Sequence, residues 1–129
     1  MKEWLGKLLL AATAALAPIM MVIITVGVLI MVDLITGIWA ALKRGEKISS
    51  AAMRRTISKI VIYQVAVISG FMLETYILEG ILPVAKIVAG VIGMEEFKSI
   101  LENCNMIMGG DMFKIIINKL GSDNDSKKE

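Results

Sequence analysis

The sequence predicts an all-α integral membrane protein with about three transmembrane helices and short amphipathic helices at its N- and C-terminal ends. The chain has 129 residues, of which 57% are hydrophobic, against roughly 45–50% apolar in an ordinary soluble domain. The apolar residues are concentrated: residues 8–32 contain no charged side chain, and a membrane-spanning helix needs about 20 such residues. The positive charges are also concentrated, in one segment between two apolar stretches, as in a short loop on one side of a membrane.

The N-terminal segment, residues 1–17, is predicted to be a separate helix at the membrane interface. The apolar run continues to residue 42, which is too long for one crossing of a hydrocarbon core of about 30 Å and too short for two. Pro18 is the natural break, because proline lacks a backbone donor and clashes with the preceding turn. Since proline is tolerated in the first turn of a helix, the first span is predicted over residues 18–42.

The most polar internal segment, residues 43–59, is predicted to be a cytoplasmic loop followed by the start of the second helix. Its only acidic residue is Glu46, and short loops rich in Lys and Arg remain in the cytoplasm. Gly45 can end the first span, and Ser49 or Ser50 can cap the next helix. The basic residues of this segment are Lys43, Arg44, Lys47, Arg54, Arg55 and Lys59.

Residues 1–120 are predicted to form a single helical membrane domain, and glycine and proline residues divide its remaining part into helices. A second span is predicted over 60–79, and residues 83–94 form either a third span or an interfacial helix. Gly80 and Pro83 predict a short turn between them and hence an antiparallel hairpin. Amphipathic cytoplasmic helices are expected over 95–120, followed by a polar, disordered tail over 121–129. Three crossings would return the C-terminus to the cytoplasm.

One carboxylate, Asp33, lies inside the first apolar span. A charge deep in a bilayer costs roughly 2.5–3.5 kcal/mol, so its side chain must face protein or water. Asp33, Thr36, Gly37 and Ala40 are spaced i, i+3, i+4, i+7 and form one small, polar stripe, a pattern that permits close helix packing. The stripe is therefore either a packing face, with Arg55 or Lys59 as the partner of Asp33, or the lining of a pore. We expect it to join copies of the chain in a homo-oligomer.

Several kinds of chemistry are excluded by composition. The chain has no histidine and one cysteine, Cys104, so neither a Cys/His zinc cluster nor histidine-dependent catalysis can be built. The formal net charge of +2 is far below that of a strongly basic nucleic-acid-binding protein. The sequence thus predicts a non-enzymatic protein without cofactor, metal or nucleic-acid partner, whose first partner is the lipid bilayer.

Two blocks of the sequence resemble the toxin-secretion/phage-lysis holin family. Residues 32–41, VDLITGIWAA, resemble its Asp-x-x-Thr-Gly-x-x-Ala-Ala signature and are followed by the basic loop. Residues 96–103, EFKSILEN, resemble its Glu-x-x-Ser-Ile-Leu-Glu-Asn block through Glu96, Ser99, Glu102 and Asn103. The resemblance covers about residues 20–120 and departs from the family pattern at 110–112.

The resemblance implies a function that the residues alone do not. Holins are small phage proteins that oligomerise in the bacterial inner membrane and open pores or lesions, which depolarise the cell or release a cell-wall hydrolase; relatives serve in toxin release. Two alternatives remain open at this point. One is a membrane adaptor or structural subunit that binds another protein through its cytoplasmic C-terminal helices, and the other is a small ion channel with Asp33 in the ion path.

Overall fold

The protein consists of helices joined by short turns. The computed structural model describes residues 1–109, 114–116 and 118–120, and among these no strand occurs. The helices are α1 (Lys2–Leu16), a 3-10 turn (Ala17–Ile19), α2 (Met20–Lys43), α3 (Ser50–Tyr76) and α4 (Val84–Met108). The expected disordered tail over 121–129, and residues 110–113 and 117 of the expected amphipathic helices, lie outside the described residues.

Helices α2, α3 and α4 form an up-down-up bundle. Gly93 of α4 lies against Leu29 of α2, and the Lys43 ammonium at the end of α2 donates to the Ile107 carbonyl of α4, so these two helices run parallel. Helix α3 is antiparallel to α4, because its late residue Gly70 lies against Ala85 at the start of α4. Helix α4 therefore extends along the whole length of α2.

The length of α4 corrects one prediction. The sequence divided this region into a short segment over 83–94 and separate amphipathic helices beyond it, whereas one helix continues from Val84 to Met108. No proline interrupts the chain after Pro83, and the helix ends only at Gly109, whose φ of 63° places it in the left-handed region that ends many helices. Residues 95–108 thus lie beside α2 instead of forming a separate layer.

The ends of the helices follow local sequence signals. Gly45 adopts a φ of 74° directly after α2, and the Ser49 hydroxyl accepts a hydrogen bond of 3.2 Å from the Ala52 amide at the start of α3, which confirms the predicted cap. Gly80, with a φ of 77°, lies in the hairpin between α3 and α4. Pro18 lies within the 3-10 turn Ala17–Ile19. This tighter turn accommodates the proline and joins α1 to α2 without a loop.

The bundle has a small core and an apolar exterior. Val26 and Ile30 of α2, Val67 of α3 and Ala85 of α4 are buried, while most large apolar side chains point outward. Helix α1 buries none of its side chains. Two helical stretches, Lys2–Lys43 and Ser50–Tyr76, are long and apolar enough to cross a membrane. The chain is an all-α membrane protein.

Candidate functional site

A buried charge cluster joins all three helices of the bundle. The Lys59 ammonium of α3 lies 3.3 Å from Asp33 Oδ2 of α2 and 3.1 Å from Glu96 Oε1 of α4. Of the two cations expected as partners of Asp33, Lys59 makes this contact, and Arg55 lies one turn earlier on α3 without a carboxylate partner among the described residues. One lysine therefore links two carboxylates that belong to different helices.

An asparagine completes the cluster on the side of Asp33. Asn103 Nδ2 of α4 lies 3.1 Å from Asp33 Oδ1 and 3.1 Å from Thr36 Oγ1. The Thr36 hydroxyl in turn donates to the Val32 carbonyl at 2.8 Å. These contacts fix the C-terminal halves of α2 and α4 to each other, because a polar group away from water is stable only when it is hydrogen-bonded.

The balance of charge makes Lys59 the critical member of the cluster. Glu96 is only 2% exposed, and the side chains of Asp33 and Lys59 are 14% and 36% exposed. Two carboxylates and one ammonium carry a formal charge of −1, so each carboxylate depends on the same cation. Removal of that cation would leave two like charges in a low-dielectric environment, where repulsion is much stronger than in water.

The small stripe of α2 packs against α4 within one chain. Thr36 contacts Asn103, a Cβ on Gly37 would lie 3.5 Å from the Asn103 amide nitrogen, and Ala40 is 1% exposed. The small side chains allow α4 to approach α2 closely. Contacts between copies through this stripe remain a prediction.

The second family-like block is divided between the interior and the surface. Glu96 and Asn103 belong to the charge cluster, and Ser99 between them lines a neighbouring cavity. Glu102 is exposed. The sequence indicated Glu96 and Asn103 only through the family-like block and missed the pairing of Glu96 with Lys59 and of Asn103 with Asp33. The spacing of Glu96, Ser99 and Asn103, i, i+3, i+7, is the signal that predicts one shared polar face.

The basic segment surrounds the mouth of that cavity, which lies between α2, the 44–49 loop and α3. Arg44 Nε lies 2.8 Å from Glu46 Oε1 in the loop, and this hydrogen bond lowers the pKa of the Glu46 carboxyl. Lys47, Arg55 and Lys59 line the cavity as well. Lys43 instead reaches the end of α4, and Arg54 is exposed to the outside.

A second charged surface lies on the outside of the bundle. Glu95, Lys98 and Glu102 are exposed on α4, and we call them the α4 charged stripe. They lie between Gly93, which contacts Leu29, and Ile107, which contacts Lys43, and are therefore level with the C-terminal half of α2. At the same level α2 exposes large apolar side chains, namely Met31, Ile35, Trp39 and Leu42.

The close contact at Gly37 yields a stability prediction. Replacement of Gly37 by alanine is expected to be tolerated, because the added Cβ makes an ordinary contact of 3.5 Å with Asn103. Replacement by isoleucine pushes Asn103 away from Asp33 and Thr36 and should cost about 1–3 kcal/mol through overpacking. Denaturant unfolding in detergent measures both variants, and an isoleucine variant as stable as the alanine variant would contradict this arrangement.

Comparison with known proteins identifies one family over most of the chain. The profile of the bacteriophage holin family matches residues 11–122, a range that includes the charge cluster, the basic loop and the α4 charged stripe. Neither the curated proteins nor the solved structures give a significant match to the chain. The family match covers most of the sequence, and it confirms the resemblance carried by the two motif blocks. The chain therefore belongs to the bacteriophage holin family, whose members are non-enzymatic, pore-forming membrane proteins that act in host lysis.

Proposed function

We propose that this chain is a holin that assembles as a homo-oligomer in the bacterial inner membrane and opens a pore or lesion through which a cell-wall hydrolase or toxin passes. The observation that carries the proposal is the α4 charged stripe on the outside of an otherwise apolar bundle. A single copy in lipid would expose Glu95, Lys98 and Glu102 to the hydrocarbon, and a charge there costs roughly 2.5–3.5 kcal/mol.

Assembly with α4 on the inside removes this cost. A ring of copies would direct the α4 charged stripe toward a water-filled lumen, whereas the apolar side chains of α2 at the same level, such as Ile35 and Trp39, would face lipid. The stripe carries both signs of charge, so Lys98 of one copy can pair with a glutamate of the next. This two-faced exterior supports a lumen formed between copies.

A path through one copy is less well supported. Asp33 is bound by Lys59 and Asn103, and the bundle interior above it is filled by Val26, Ile30 and Val67. In the described part of the bundle, Asp33 therefore links helices through its bound partners and does not act as an ion ligand. The small ion channel with Asp33 in its path is accordingly the weaker of the alternatives.

The orientation follows from the distribution of charge. The basic segment over 43–59 favours a cytoplasmic position for the 44–49 loop. Because α4 is parallel to α2, the end of α4 at Met108 then lies on the same side, and the C-terminus is cytoplasmic. The hairpin around Gly80 lies on the outer side, and α1 is proposed to lie at the membrane interface.

Expression in bacteria without any phage partner tests the proposed function. We expect the membrane potential, followed in single cells with a potential-sensitive dye, to collapse abruptly after a delay, since holins act without a second protein. An unrelated three-helix membrane protein at the same level controls for membrane crowding. An unchanged potential would favour the adaptor, and a graded, ion-selective conductance at low expression would favour the small channel.

A further inference from the structure

A cavity of about 450 Å³ opens between the ends of α2 and α3 that the 44–49 loop connects, and α4 contributes Ser99 and Asn103 to its lining. Its volume falls within the roughly 300–1,000 Å³ of small-molecule sites. The lining reaches from Lys47 in the loop to Asp33, which lies ten residues before the end of α2. At 1.5 Å per residue the cavity therefore descends about 15 Å along the helix.

The charge in this cavity is unevenly compensated. Four cations and two carboxylates line it. Glu46 is paired with Arg44, and Asp33 is bound by Lys59 and Asn103. Within the part of the chain that the structure describes, Lys47 and Arg55 have no carboxylate partner. The part of the cavity nearer the loop consequently holds two uncompensated cations, and Ser49 and Ser99 also belong to the cavity lining.

The wall of the same cavity is apolar. Its apolar lining residues run from Leu34 beside Asp33, through Ile38 and Ala41 of α2, to Ile48 beside Lys47 in the loop. Outside the cavity, Leu42 of α2 and Met53 and Ile57 of α3 are exposed and continue the apolar surface. A ligand that fits has a negative group at the level of the loop and an apolar body toward the hydrocarbon.

We propose that this cavity binds an anionic phospholipid headgroup, with its phosphate held by Lys47 and Arg55 and its glycerol and upper acyl chains against Leu34, Ile38 and Ile48. Basic pockets between transmembrane helices bind such headgroups through charge at the membrane surface. The site requires only the membrane placement of the bundle and not lesion formation. The cytoplasmic leaflet as the source of the lipid rests on the orientation proposed above.

Native mass spectrometry of the full chain in detergent tests this site. Phosphatidylglycerol and phosphatidylcholine are added separately, because both contain a phosphate but only the first has a net negative charge. We expect the chain to retain one phosphatidylglycerol in preference to phosphatidylcholine. Arg55→Gln should weaken this retention about fivefold, and Lys47→Gln combined with Arg55→Gln about thirtyfold, as expected for roughly 1 kcal/mol per cation.

Arg54→Gln is the matched control, since it removes the same charge from the adjacent residue of α3, which is exposed and does not line the cavity. Its retention of phosphatidylglycerol should stay within about twofold of the original chain. Equal losses in the Arg54 and Arg55 variants, or equal retention of the two lipids, would overturn the site. Displacement of the lipid by millimolar inorganic phosphate alone would identify a free-phosphate site and overturn the lipid proposal. Lys47→Gln, in the loop, gives an independent reading if the helix variant fails to fold.

Discussion

Replacement of Lys59 by methionine is expected to destabilise the folded chain by about 3 kcal/mol, the lower end of the range for an uncompensated buried charge. The variant would leave Asp33 and Glu96 facing each other without their shared cation. The lower end of this range applies because the Lys59 side chain is 36% exposed, so water can partly replace its ammonium group. The loss is still large because Glu96 is 2% exposed, and water does not replace the cation beside it. Denaturant unfolding of the purified chain in detergent measures the change.

Two further variants separate the loss of this ion pair from a general effect of lost charge. Arg54→Met removes a cation from an exposed position on the same helix and should change stability by less than about 0.5 kcal/mol. Asp33→Asn and Glu96→Gln, added to Lys59→Met, remove both carboxylate charges and should recover most of the lost stability. If Lys59→Met unfolds like Arg54→Met, the charge cluster does not hold the helices together.

Replacement of the α4 charged stripe by leucine is expected to delay lesion formation strongly while the chain still inserts. In the variant Glu95→Leu, Lys98→Leu, Glu102→Leu, the exterior of α4 becomes compatible with lipid, so the requirement to face water or another copy disappears. We expect the delay before collapse of the membrane potential to lengthen by roughly tenfold or more, given the cost of each charge in lipid. Single-cell dye measurements at matched membrane abundance provide the test.

The matched control changes three exposed residues at the same level of α2. Met31→Leu, Val32→Leu and Ile35→Leu keep that face apolar, so the collapse should follow the original time course. Collapse of the potential in the α4 variant at the original time would show that the stripe has no part in the lesion.

The helix ends could be predicted from the sequence because they depend on local chemistry. Gly45 and Gly80 have positive φ values, and the Ser49 cap contacts a residue only three positions away. The sequence also limits the partner of Asp33 to Arg55 or Lys59. An intramembrane carboxylate needs a cation, and few cations lie at the corresponding level of the next helix. Such inferences require only spacing along one or two helices.

The role of α4 could not be predicted in the same way. Its five charged residues lower its hydropathy, but hydropathy does not record which face each charge occupies. Glu96 is buried beside Lys59, and Glu95, Lys98 and Glu102 are outside. Likewise, the small stripe around Gly37 indicates close packing without naming its partner, which is Asn103 from a helix far along the chain. These facts depend on tertiary arrangement.

The hairpin between α3 and α4 shows the same limit for a single side chain. The Glu74 carboxylate near the end of α3 accepts a hydrogen bond of 3.1 Å from the Ala85 amide at the start of α4. A free amide at a helix N-terminus attracts a carboxylate, but the pairing arises only when the hairpin brings the two helix ends together.

The most direct test of a lumen lined by α4 is thiol labelling of the assembled protein in the membrane. Single cysteines are placed at Lys98→Cys on α4 and Ile35→Cys on α2, each in a Cys104→Ser chain, and treated with a membrane-impermeant, water-soluble reagent after the potential has collapsed. We predict rapid labelling at position 98 and protection at position 35, because the first faces water and the second faces lipid. Protection at position 98 together with labelling at position 35 would contradict the proposed arrangement.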